Sequence, residues 1–243
     1  MIRTLLIIIF LIIFFIISIP LFLIEWLIGK INPHAKDISS LRIVQTAFKI
    51  ICFIGGIHTT VIGYENIPKD KPVLFIGNHR GFFDTIISYS MMPGITGFVA
   101  KKEIEKVPLL RVWMRYLHCL FLDRANIKEG LKTILKGIDE VKAGVSMVIF
   151  PEGTRNKGDG IMPFKEGSFK IAEKSGCLII PMVQNNTSAA FEDHLPFIRR
   201  THTIIEFGTP IDITTLSKED RKAIGAYTHS IMLKMYEKNQ SLV

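Results

Sequence analysis

The sequence predicts an α/β protein: a single domain with a mostly parallel central sheet flanked by helices, preceded by an N-terminal hydrophobic helical region that binds a membrane. Three observations indicate this fold class. Beyond residue 60, short apolar runs alternate with amphipathic stretches, a pattern typical of strands and helices around a parallel sheet. The first 60 residues are strongly apolar instead. A chain of 243 residues also has room for one domain of ordinary size, which excludes a polytopic transporter.

The N-terminal segment Leu5–Ile24 is apolar enough to enter a membrane. It carries no charge, and only Ser18 and Pro20 fall outside the aliphatic and aromatic set. A helix of this length reaches about 30 Å, the thickness of a bilayer's hydrocarbon core. A cleaved signal peptide would have a shorter apolar stretch that ends in small residues, so an uncleaved anchor is favoured. Because Pro20 lies near the end of the segment, a full crossing and entry into one leaflet both stay open.

The charges around this segment predict its orientation. Only Arg3 precedes it, whereas Lys30, Lys36, Arg42 and Lys49 follow it. Lys and Arg next to a membrane segment tend to stay in the cytoplasm. We therefore expect a protein of the cell membrane whose catalytic domain lies on the cytoplasmic side.

The stretch Leu41–Ile54 is predicted to form a second helix, with Ser39 and Ser40 as its cap. Its polar residues share one stripe of that helix: Arg42, Gln45, Thr46 and Lys49. A segment in the membrane interface and a helix buried on the domain's own sheet both have this pattern, so both interpretations stay open. The predicted organisation is a membrane anchor with an amphipathic helix in residues 1–60 and a catalytic domain in residues 61–243.

The catalytic domain is predicted to alternate strands with helices. The predicted strands are Val73–Gly77, Gly97–Ala100, Leu120–Leu122, Met147–Phe150, Leu178–Val183 and Thr203–Phe207. The clearest helical pattern is Ile127–Val141, and a final helix is predicted over Ser217–Lys238. Strand ends are therefore the places to search for functional side chains.

Polar residues that can carry chemistry follow the strand Val73–Gly77. The sequence Asn78–Asp84 contains an imidazole, His79, and a carboxyl group, Asp84. A polar cluster between a strand and a helix lies at the carboxyl edge of the sheet, where α/β proteins bind ligands. A carboxylate that accepts a hydrogen bond from one imidazole nitrogen leaves the other nitrogen free as a general base. His79 and Asp84 are thus candidate catalytic residues.

A second polar turn follows the strand Met147–Phe150. It contains Glu152, Gly153, Thr154 and Arg155. Backbone N–H groups, a hydroxyl and a guanidinium together suit a phosphate. Two other strand ends carry the cations Lys101 and Arg124. One base and three cations at one edge predict a site for a phosphorylated substrate that must lose a proton.

Several other chemistries are excluded by the motifs that the sequence lacks. It contains no GxSxG elbow, no HExxH motif, no Walker GxxxxGK[ST] loop and no GxGxxG. Cys52, Cys119 and Cys177 show no CxxC spacing, so neither a metal site nor a disulfide framework is predicted. The formal charge of +8 favours anionic lipid surfaces. No nucleic-acid partner is expected, because the chain resembles no nucleic-acid module.

Four blocks of the sequence resemble those of the glycerolipid acyltransferases. The blocks are His79 to Asp84, Phe121–Arg124, Phe150–Arg155 and Ile180–Val183, and Gly63–Pro68 is similar to the lead-in to the first block. The resemblance covers residues 60–210 and is strongest to the bacterial members that acylate lysophosphatidic acid. Four blocks in register are specific for the superfamily and less specific for the acceptor.

The resemblance implies an activity and a set of partners. A fatty acyl group would pass from an acyl thioester, either acyl carrier protein or acyl-CoA, to the sn-2 hydroxyl of lysophosphatidic acid, giving phosphatidic acid. The partners are then the phospholipid bilayer, lysophosphatidic acid and the acyl carrier. No cofactor is expected beyond this thioester co-substrate.

The resemblance also implies a role for each site residue. His79 would remove the proton from the hydroxyl, Asp84 would orient His79, and no covalent acyl-enzyme would form. The region that binds the acceptor phosphate would contain Arg124, Glu152, Gly153 and Arg155. Pro181 would shape the acyl or acceptor pocket.

Two departures from the family pattern leave alternatives open. His118 stands where the second block usually has glycine, and Asn156 stands where the third block often ends with serine. We expect His118 to alter the acceptor pocket, so another lysolipid or lipid-linked acceptor is an alternative. Two alternatives come from other classes. One is a phosphate-ester hydrolase with His79 and Asp84 as metal ligands, and the other is a non-catalytic membrane-anchored phospholipid-binding protein.

Overall fold

The computed structural model describes residues 1–243 and is built on a seven-stranded sheet. The strands are β1 Ile57–Ile62, β2 Val73–Gly77, β3 Thr96–Lys101, β4 Leu120–Leu122, β5 Ser146–Ile149, β6 Leu178–Asn185 and β7 Thr201–Phe207. Their order across the sheet is β1-β7-β6-β2-β5-β3-β4. All neighbouring strands are parallel except β6 and β7, which are antiparallel. The predicted α/β architecture is confirmed, and all six predicted strands are present.

Helices cover both faces of this sheet. They are α1 Ile2–Ile31, α2 Pro33–Gly55, α3 Phe82–Ser90, α4 Pro108–Tyr116, α5 Ile127–Lys142, α6 Lys170–Ser175, α7 Lys218–Lys222 and α8 Ile224–Gln240. On β2, Leu74 and Ile76 pack in one core cluster with side chains of α5, α6 and α8. Val73 and Phe75 point to the opposite face and pack with side chains of α2 and α4. A central strand buried on both faces is apolar throughout, which explains why its sequence pattern is clear.

The sheet contains one strand that the sequence analysis missed, β1. It is an edge strand that pairs only with β7, and its middle residues are His58, Thr59 and Thr60. An edge strand is partly solvated, so it need not be an apolar run. Because β1 begins at Ile57, the sheet starts within the range 1–60 that was predicted to hold the anchor.

Helix α2 begins earlier than predicted. Its cap is Asn32, whose side chain accepts a hydrogen bond from the Ala35 amide (3.0 Å), and Pro33 occupies the first helical position. The predicted cap residues Ser39 and Ser40 lie inside the helix. Their hydroxyls donate instead to the carboxylate of Glu25 on α1 (2.6 and 2.8 Å). The prediction of a cap at Ser39 and Ser40 is wrong, because a local sequence pattern does not reveal their contact with Glu25 on another helix.

Of the two interpretations of α2, the structure shows a helix packed on the domain's own sheet. Leu41 and Val44 are buried in the core cluster that contains Phe75. Gln45 is buried rather than part of a solvated stripe, and its side-chain amide donates to the carbonyls of Tyr89 and Met92 (3.2 and 2.8 Å). The helix therefore belongs to the packed core.

The C-terminal helical region begins at the predicted residue, Ser217, whose hydroxyl oxygen accepts from the Asp220 amide (3.0 Å). It consists of two helices rather than one, because the backbone leaves helical geometry at Ala223. The longer helix, α8, is joined to the end of β6 by the Asn185 side chain, which donates to the Tyr236 carbonyl (3.0 Å).

Helix α1 lies lengthwise along the domain. The indole N–H of Trp113 on α4 donates to Ser18 Oγ (2.8 Å), and the Tyr116 hydroxyl donates to the Phe22 carbonyl (3.0 Å). Its outward side chains are apolar and exposed: Leu5, Ile9, Ile12, Ile16, Ile19, Leu23 and Trp26. Both α1 and α2 are long and apolar enough to cross a membrane. An exposed apolar surface that runs along the outward side of α1 supports association with a membrane.

Candidate active site

Two polar turns meet at the carboxyl edge of the sheet. Strands β2 and β5 are parallel neighbours, so the residues that follow them come close together. The backbone of His79 joins the two turns, since its N–H donates to Glu152 Oε1 (2.7 Å) and its carbonyl accepts from the Asn156 amide (2.7 Å). The structure thus brings the predicted base and the predicted phosphate turn into one site.

His79 and Asp84 form the predicted pair. Asp84 is fully buried in the first turn of α3, and its Oδ2 lies 2.8 Å from His79 Nδ1. The same oxygen accepts from the backbone amides of Arg80 (2.6 Å) and Gly81 (2.7 Å), which hold the carboxylate at the helix N-terminus. With Nδ1–H donated to Asp84, Nε2 carries the free lone pair. No protein group bonds Nε2, and the His79 side chain is 22 % exposed, so this nitrogen can reach a substrate.

Phe150 supports the histidine from one side and was not predicted as a site residue. Its ring stacks on the imidazole of His79 with centroids 4.4 Å apart and planes 12° apart. Gly77 makes room for this ring, because a Cβ there would lie 2.7 Å from a Phe150 ring carbon. The stacked ring limits rotation of the imidazole out of the site.

Glu152, which the family resemblance assigns to the acceptor-phosphate region, bonds two backbone amides. It is buried, and its two carboxylate oxygens accept from the backbone amides of His79 (2.7 Å) and Met162 (3.0 Å). Burial raises the pKa of this carboxyl, while the two amide donors act in the opposite direction. The geometry makes Glu152 a support for the histidine backbone.

Three of the predicted phosphate-binding residues surround the turn at Gly153. The Arg124 guanidinium donates to the Gly153 carbonyl, and Thr154 is exposed next to it. The Arg155 guanidinium lies over the Phe82 ring, 4.5 Å from its centroid, and 3.4 Å from Glu192 Oε1. Both cations are therefore available to an anionic ligand at this edge.

Two predicted residues are not brought to this turn. The Lys101 ammonium is exposed and pairs with Glu103 Oε1 (3.1 Å). Pro181 is buried inside β6, opposite Ile76 of β2, and its carbonyl accepts from the Gly208 amide (2.8 Å). Their roles in substrate binding stay predictions.

A further cation that the sequence analysis missed lies at the same turn. Gly153 has a left-handed φ of 77°, and a Cβ there would lie 2.7 Å from Lys165 Nζ. The Lys165 ammonium therefore lies directly against the turn at Gly153. Lys165 follows no strand, so the rule that strand ends carry the site could not find it.

A family model described as Acyltransferase matches residues 58–185, which include both turns. The chain belongs to the acyltransferase family. Similar proteins include the 1-acyl-sn-glycerol-3-phosphate acyltransferases of Borreliella burgdorferi (29% identical, covering 82% of this chain and 79% of the relative) and Haemophilus influenzae (32% identical, covering 70% and 72%). The enzyme of the same name from Saccharomyces cerevisiae is 30% identical, covering 87% and 68%.

A solved structure has the same fold. It is the 1-acyl-sn-glycerophosphate (LPA) acyltransferase from Thermotoga maritima, which matches with a TM-score of 0.75 at 22% sequence identity. The match covers 93% of this chain and 97% of that one, so it includes the two N-terminal helices as well as the sheet.

The departure from the acyltransferase pattern at His118 lies away from the two polar turns of the site. His118 lies at the amino end of β4, whereas the site lies at the carboxyl ends of the strands. Its Nδ1 is 2.9 Å from Glu140 Oε2, and its Nε2 is 3.1 Å from Asp37 Oδ2. Its φ of 57° is in the left-handed region, which explains physically why glycine suits this position. The structure places His118 away from the His79 turn, and the expectation that it alters the acceptor pocket stays a prediction.

Asn156, the other departure, keeps the third block in place. It is buried, its side-chain amide donates to the Gly160 carbonyl (3.0 Å), and its side-chain oxygen accepts from the Gly158 amide (2.8 Å). These bonds close the loop that follows Arg155. Asparagine therefore fixes the backbone that donates to the His79 carbonyl.

The segment after β6 supplies two side chains to the site of this acyltransferase that the sequence analysis missed. The Thr187 hydroxyl donates to Asp84 Oδ1. Glu192 Oε1 accepts from the Phe82 amide at the start of α3 (2.7 Å), and burial raises the pKa of this carboxyl. Both residues lie outside the four blocks, so no motif pointed to them.

Two further findings bear on the alternatives. No group of three or more His, Cys, Asp or Glu side chains is placed to hold a metal ion. The three cysteines are free, and burial raises the pKa of Cys119 to about 12. A thiol with so high a pKa is not a nucleophile at neutral pH.

Proposed function

We propose that this protein transfers a fatty acyl group from an acyl thioester to the sn-2 hydroxyl of lysophosphatidic acid, giving phosphatidic acid. One observation carries the proposal. A partly exposed imidazole, His79, is oriented by the buried Asp84 and lies beside a turn that two guanidinium groups flank. The names of the similar proteins support lysophosphatidic acid as the acceptor.

In the proposed mechanism, His79 Nε2 takes the proton of the acceptor hydroxyl as the oxygen attacks the thioester carbonyl. The Asp84 carboxylate accepts from Nδ1–H and stabilises the imidazolium that forms. When the tetrahedral intermediate collapses, the C–S bond breaks and the thiolate takes the proton from the imidazolium. The products are the new ester and a free thiol. No cofactor takes part, because the thioester supplies the activated acyl group.

The acceptor phosphate is expected to bind between Arg155 and Arg124. A guanidinium binds phosphate oxygens through two N–H groups, and both cations flank the turn at Gly153. The donor, acyl carrier protein or acyl-CoA, is expected to approach from the aqueous side. The net charge of +8 on the chain favours both an anionic lipid and an acidic carrier.

The proposed location is the cytoplasmic surface of the cell membrane, with α1 lying in one leaflet. The stripe of α1 from Ile7 to Glu25 contacts the domain, and at 1.5 Å per residue this stripe is about 27 Å long. A crossing would draw the polar surface of the domain into hydrocarbon, which is costly. The outward apolar face of α1 can enter the acyl chains without this cost. A C-terminal fusion to green fluorescent protein is expected to fluoresce, and an alkaline-phosphatase fusion to be inactive.

The experiment that tests the function uses the full-length protein in mixed micelles with an acyl thioester and a panel of lysolipids. We expect phosphatidic acid, detected by mass, from lysophosphatidic acid alone. His79→Ala should lower kcat by at least about 10²-fold through loss of the general base. His34→Ala, which changes an exposed histidine in the first turn of α2, is the matched control.

Other outcomes decide between the alternatives. Transfer to a different lysolipid would keep the mechanism and change the acceptor. A folded protein that transfers to no acceptor, from acyl carrier protein or from CoA, would refute the proposal in favour of a phospholipid-binding protein.

A further inference from the structure

One oxygen of the Asp84 carboxylate, Oδ1, does not face His79. Thr187 is the only side chain that hydrogen-bonds this oxygen. Asp84 Oδ2 accepts from His79 Nδ1 and from the Arg80 and Gly81 amides. Asp84 Oδ1 accepts from the Thr187 hydroxyl alone. Both Asp84 and Thr187 are fully buried, so water does not replace this donor.

The segment that carries Thr187 is fixed by its own hydrogen bonds. Asn186 has a left-handed φ of 63°, and its side-chain amide donates to the His202 carbonyl (2.9 Å). The Thr187 carbonyl accepts from the Ala190 amide (3.2 Å), which closes a short 3₁₀ turn. The Ser188 hydroxyl donates to Asp193 Oδ2 (2.9 Å). The hydroxyl of Thr187 therefore approaches Asp84 from a rigid backbone.

This contact has two physical consequences for the carboxylate. The three donors on Oδ2 fix one oxygen only, and a second fixed oxygen sets the plane of the group. That plane determines the direction from which Asp84 accepts the His79 N–H. A hydroxyl on Oδ1 also draws negative charge away from the oxygen that faces the imidazole.

We propose that Thr187 is a positioning residue for acyl transfer, whose hydroxyl holds the Asp84 carboxylate in the plane that orients His79. The proposal rests on the proposed function of His79 as the general base. Thr187 itself does not touch the substrate. It acts through Asp84, and for this reason its loss should change kcat and leave the KM of the acceptor unchanged.

A merely structural role predicts a different result from the positioning role. If Thr187→Val removes the donor on Oδ1, more negative charge stays on Oδ2, and the imidazolium is stabilised further. The acid limb of the pH–rate profile should then move to higher pH. A general loss of packing would lower activity at all pH values without moving the limb.

Other charged groups near the pair are unchanged by this substitution, so the shift can be attributed to Thr187. Glu152 bonds the His79 amide, and Glu192 bonds the Phe82 amide. The Arg80 guanidinium donates to the Tyr236 hydroxyl (2.9 Å), and Arg155 lies near Glu192 (3.4 Å). None of these four side chains is bonded to Thr187.

The test compares three variants of the full-length protein with the wild type in mixed micelles. Thr187→Val keeps the volume and loses the hydroxyl, whereas Thr187→Ser keeps the hydroxyl. Thr228→Val is the matched control, since Thr228 is equally buried on α8 and its hydroxyl has no partner. We expect kcat to fall about 10- to 100-fold in Thr187→Val, the size of a hydrogen bond to a charged group. Thr187→Ser should stay within a few-fold of the wild type, and Thr228→Val should equal it.

Two results would overturn the proposal. One is a wild-type kcat in Thr187→Val. The other is an equal loss in Thr187→Ser and Thr187→Val with an unmoved acid limb, which would assign Thr187 to packing only.

A second measurement does not depend on turnover. The ring of His79 is titrated by NMR in ¹⁵N-histidine-labelled protein, with its signals assigned by their absence from His79→Ala. We expect the titration midpoint to lie at higher pH in Thr187→Val than in the wild type, and an unchanged midpoint would contradict the proposal. If the wild type transfers to no acceptor, the proposed function fails, and this titration still decides the contact between Thr187 and Asp84.

Discussion

Glu152→Gln tests whether this side chain supports the catalytic histidine or contacts the substrate. The carboxylate accepts one hydrogen bond from the His79 amide (2.7 Å) and one from the Met162 amide (3.0 Å). A glutamine oxygen keeps one of these bonds, but its NH₂ group then faces the other N–H donor. A buried amide without a partner costs about 1–3 kcal/mol. Burial raises the pKa of Glu152, so removing the charge offsets part of this cost. We expect the free energy of unfolding to fall by about 1–2 kcal/mol in Glu152→Gln.

This loss should appear in stability and in kcat. For a chain of this length it lowers Tm by about 2–8 °C. We also expect kcat to fall about 10-fold, because the backbone of His79 is less firmly held. The KM of the acceptor should not change, since both oxygens of Glu152 face backbone amides. The measurements are thermal unfolding in detergent and steady-state kinetics, with Glu237→Gln, an exposed glutamate on α8, as the control.

The opposite pattern would refute this reasoning. If Glu152→Gln keeps the wild-type Tm and raises the KM of the acceptor several-fold, the carboxylate contacts the substrate, as the family resemblance implied. A kcat and a Tm both equal to the wild type would mean that the two amide bonds do not hold His79.

The raised pKa of Glu152 also predicts a pH dependence of stability. The folded protein binds a proton at this carboxyl more readily than the unfolded chain does, for which the ordinary pKa is 4.5. This group therefore stabilises the fold less as the pH rises through 4.5 and past the raised value. We expect the free energy of unfolding of Glu152→Gln to depend less on pH across this window. Thermal unfolding of both proteins between pH 4 and 7 measures the difference, and parallel curves would contradict the expectation.

The remaining predictions concern the phosphate turn and metal dependence. Arg155→Ala should raise the KM of lysophosphatidic acid about 10-fold in a substrate titration, with Arg221→Ala on α7 as the control, and an unchanged KM would mean that the phosphate lies elsewhere. Gly153→Ala should destabilise the fold by about 1–2 kcal/mol, because a left-handed φ of 77° and the Lys165 side chain both oppose a Cβ. A wild-type Tm would contradict that geometry. Exhaustive chelation should leave acyl transfer unchanged, which would count against His79 and Asp84 as metal ligands, and a loss that a metal restores would contradict the proposed metal-free mechanism.

The central strands were predictable because burial on both faces makes them continuous apolar runs. β2 and β4 have the predicted bounds, and β3, β5, β6 and β7 differ only at their ends. The edge strand β1 was missed, since its polar middle residues resemble a loop. The predicted start of α2 was wrong because the hydroxyls of Ser39 and Ser40 donate to Glu25 on α1 and do not cap the helix.

The site residues that come directly after a strand were predictable from the sequence. The turn with His79 and the turn with Arg155 come together because β2 and β5 are adjacent and parallel. Glu152 shows the limit of this rule, since its position after β5 does not reveal that both its oxygens bond backbone amides. Thr187, Phe150 and Lys165 reach the site through contacts between distant segments, which no local spacing records.

By itself, the sequence predicted the fold class, the apolar N-terminal region, and a His–Asp pair and a cationic turn at the ends of neighbouring strands. These features depend on hydrophobic periodicity and on residue types at short spacing, which are local properties of the chain. Only the tertiary structure decided that α2 belongs to the core, that α1 lies along the domain, and that Glu152 and Thr187 bond His79 and Asp84. These features depend on which distant segments pack together, and burial and hydrogen-bond geometry exist only after the chain has folded.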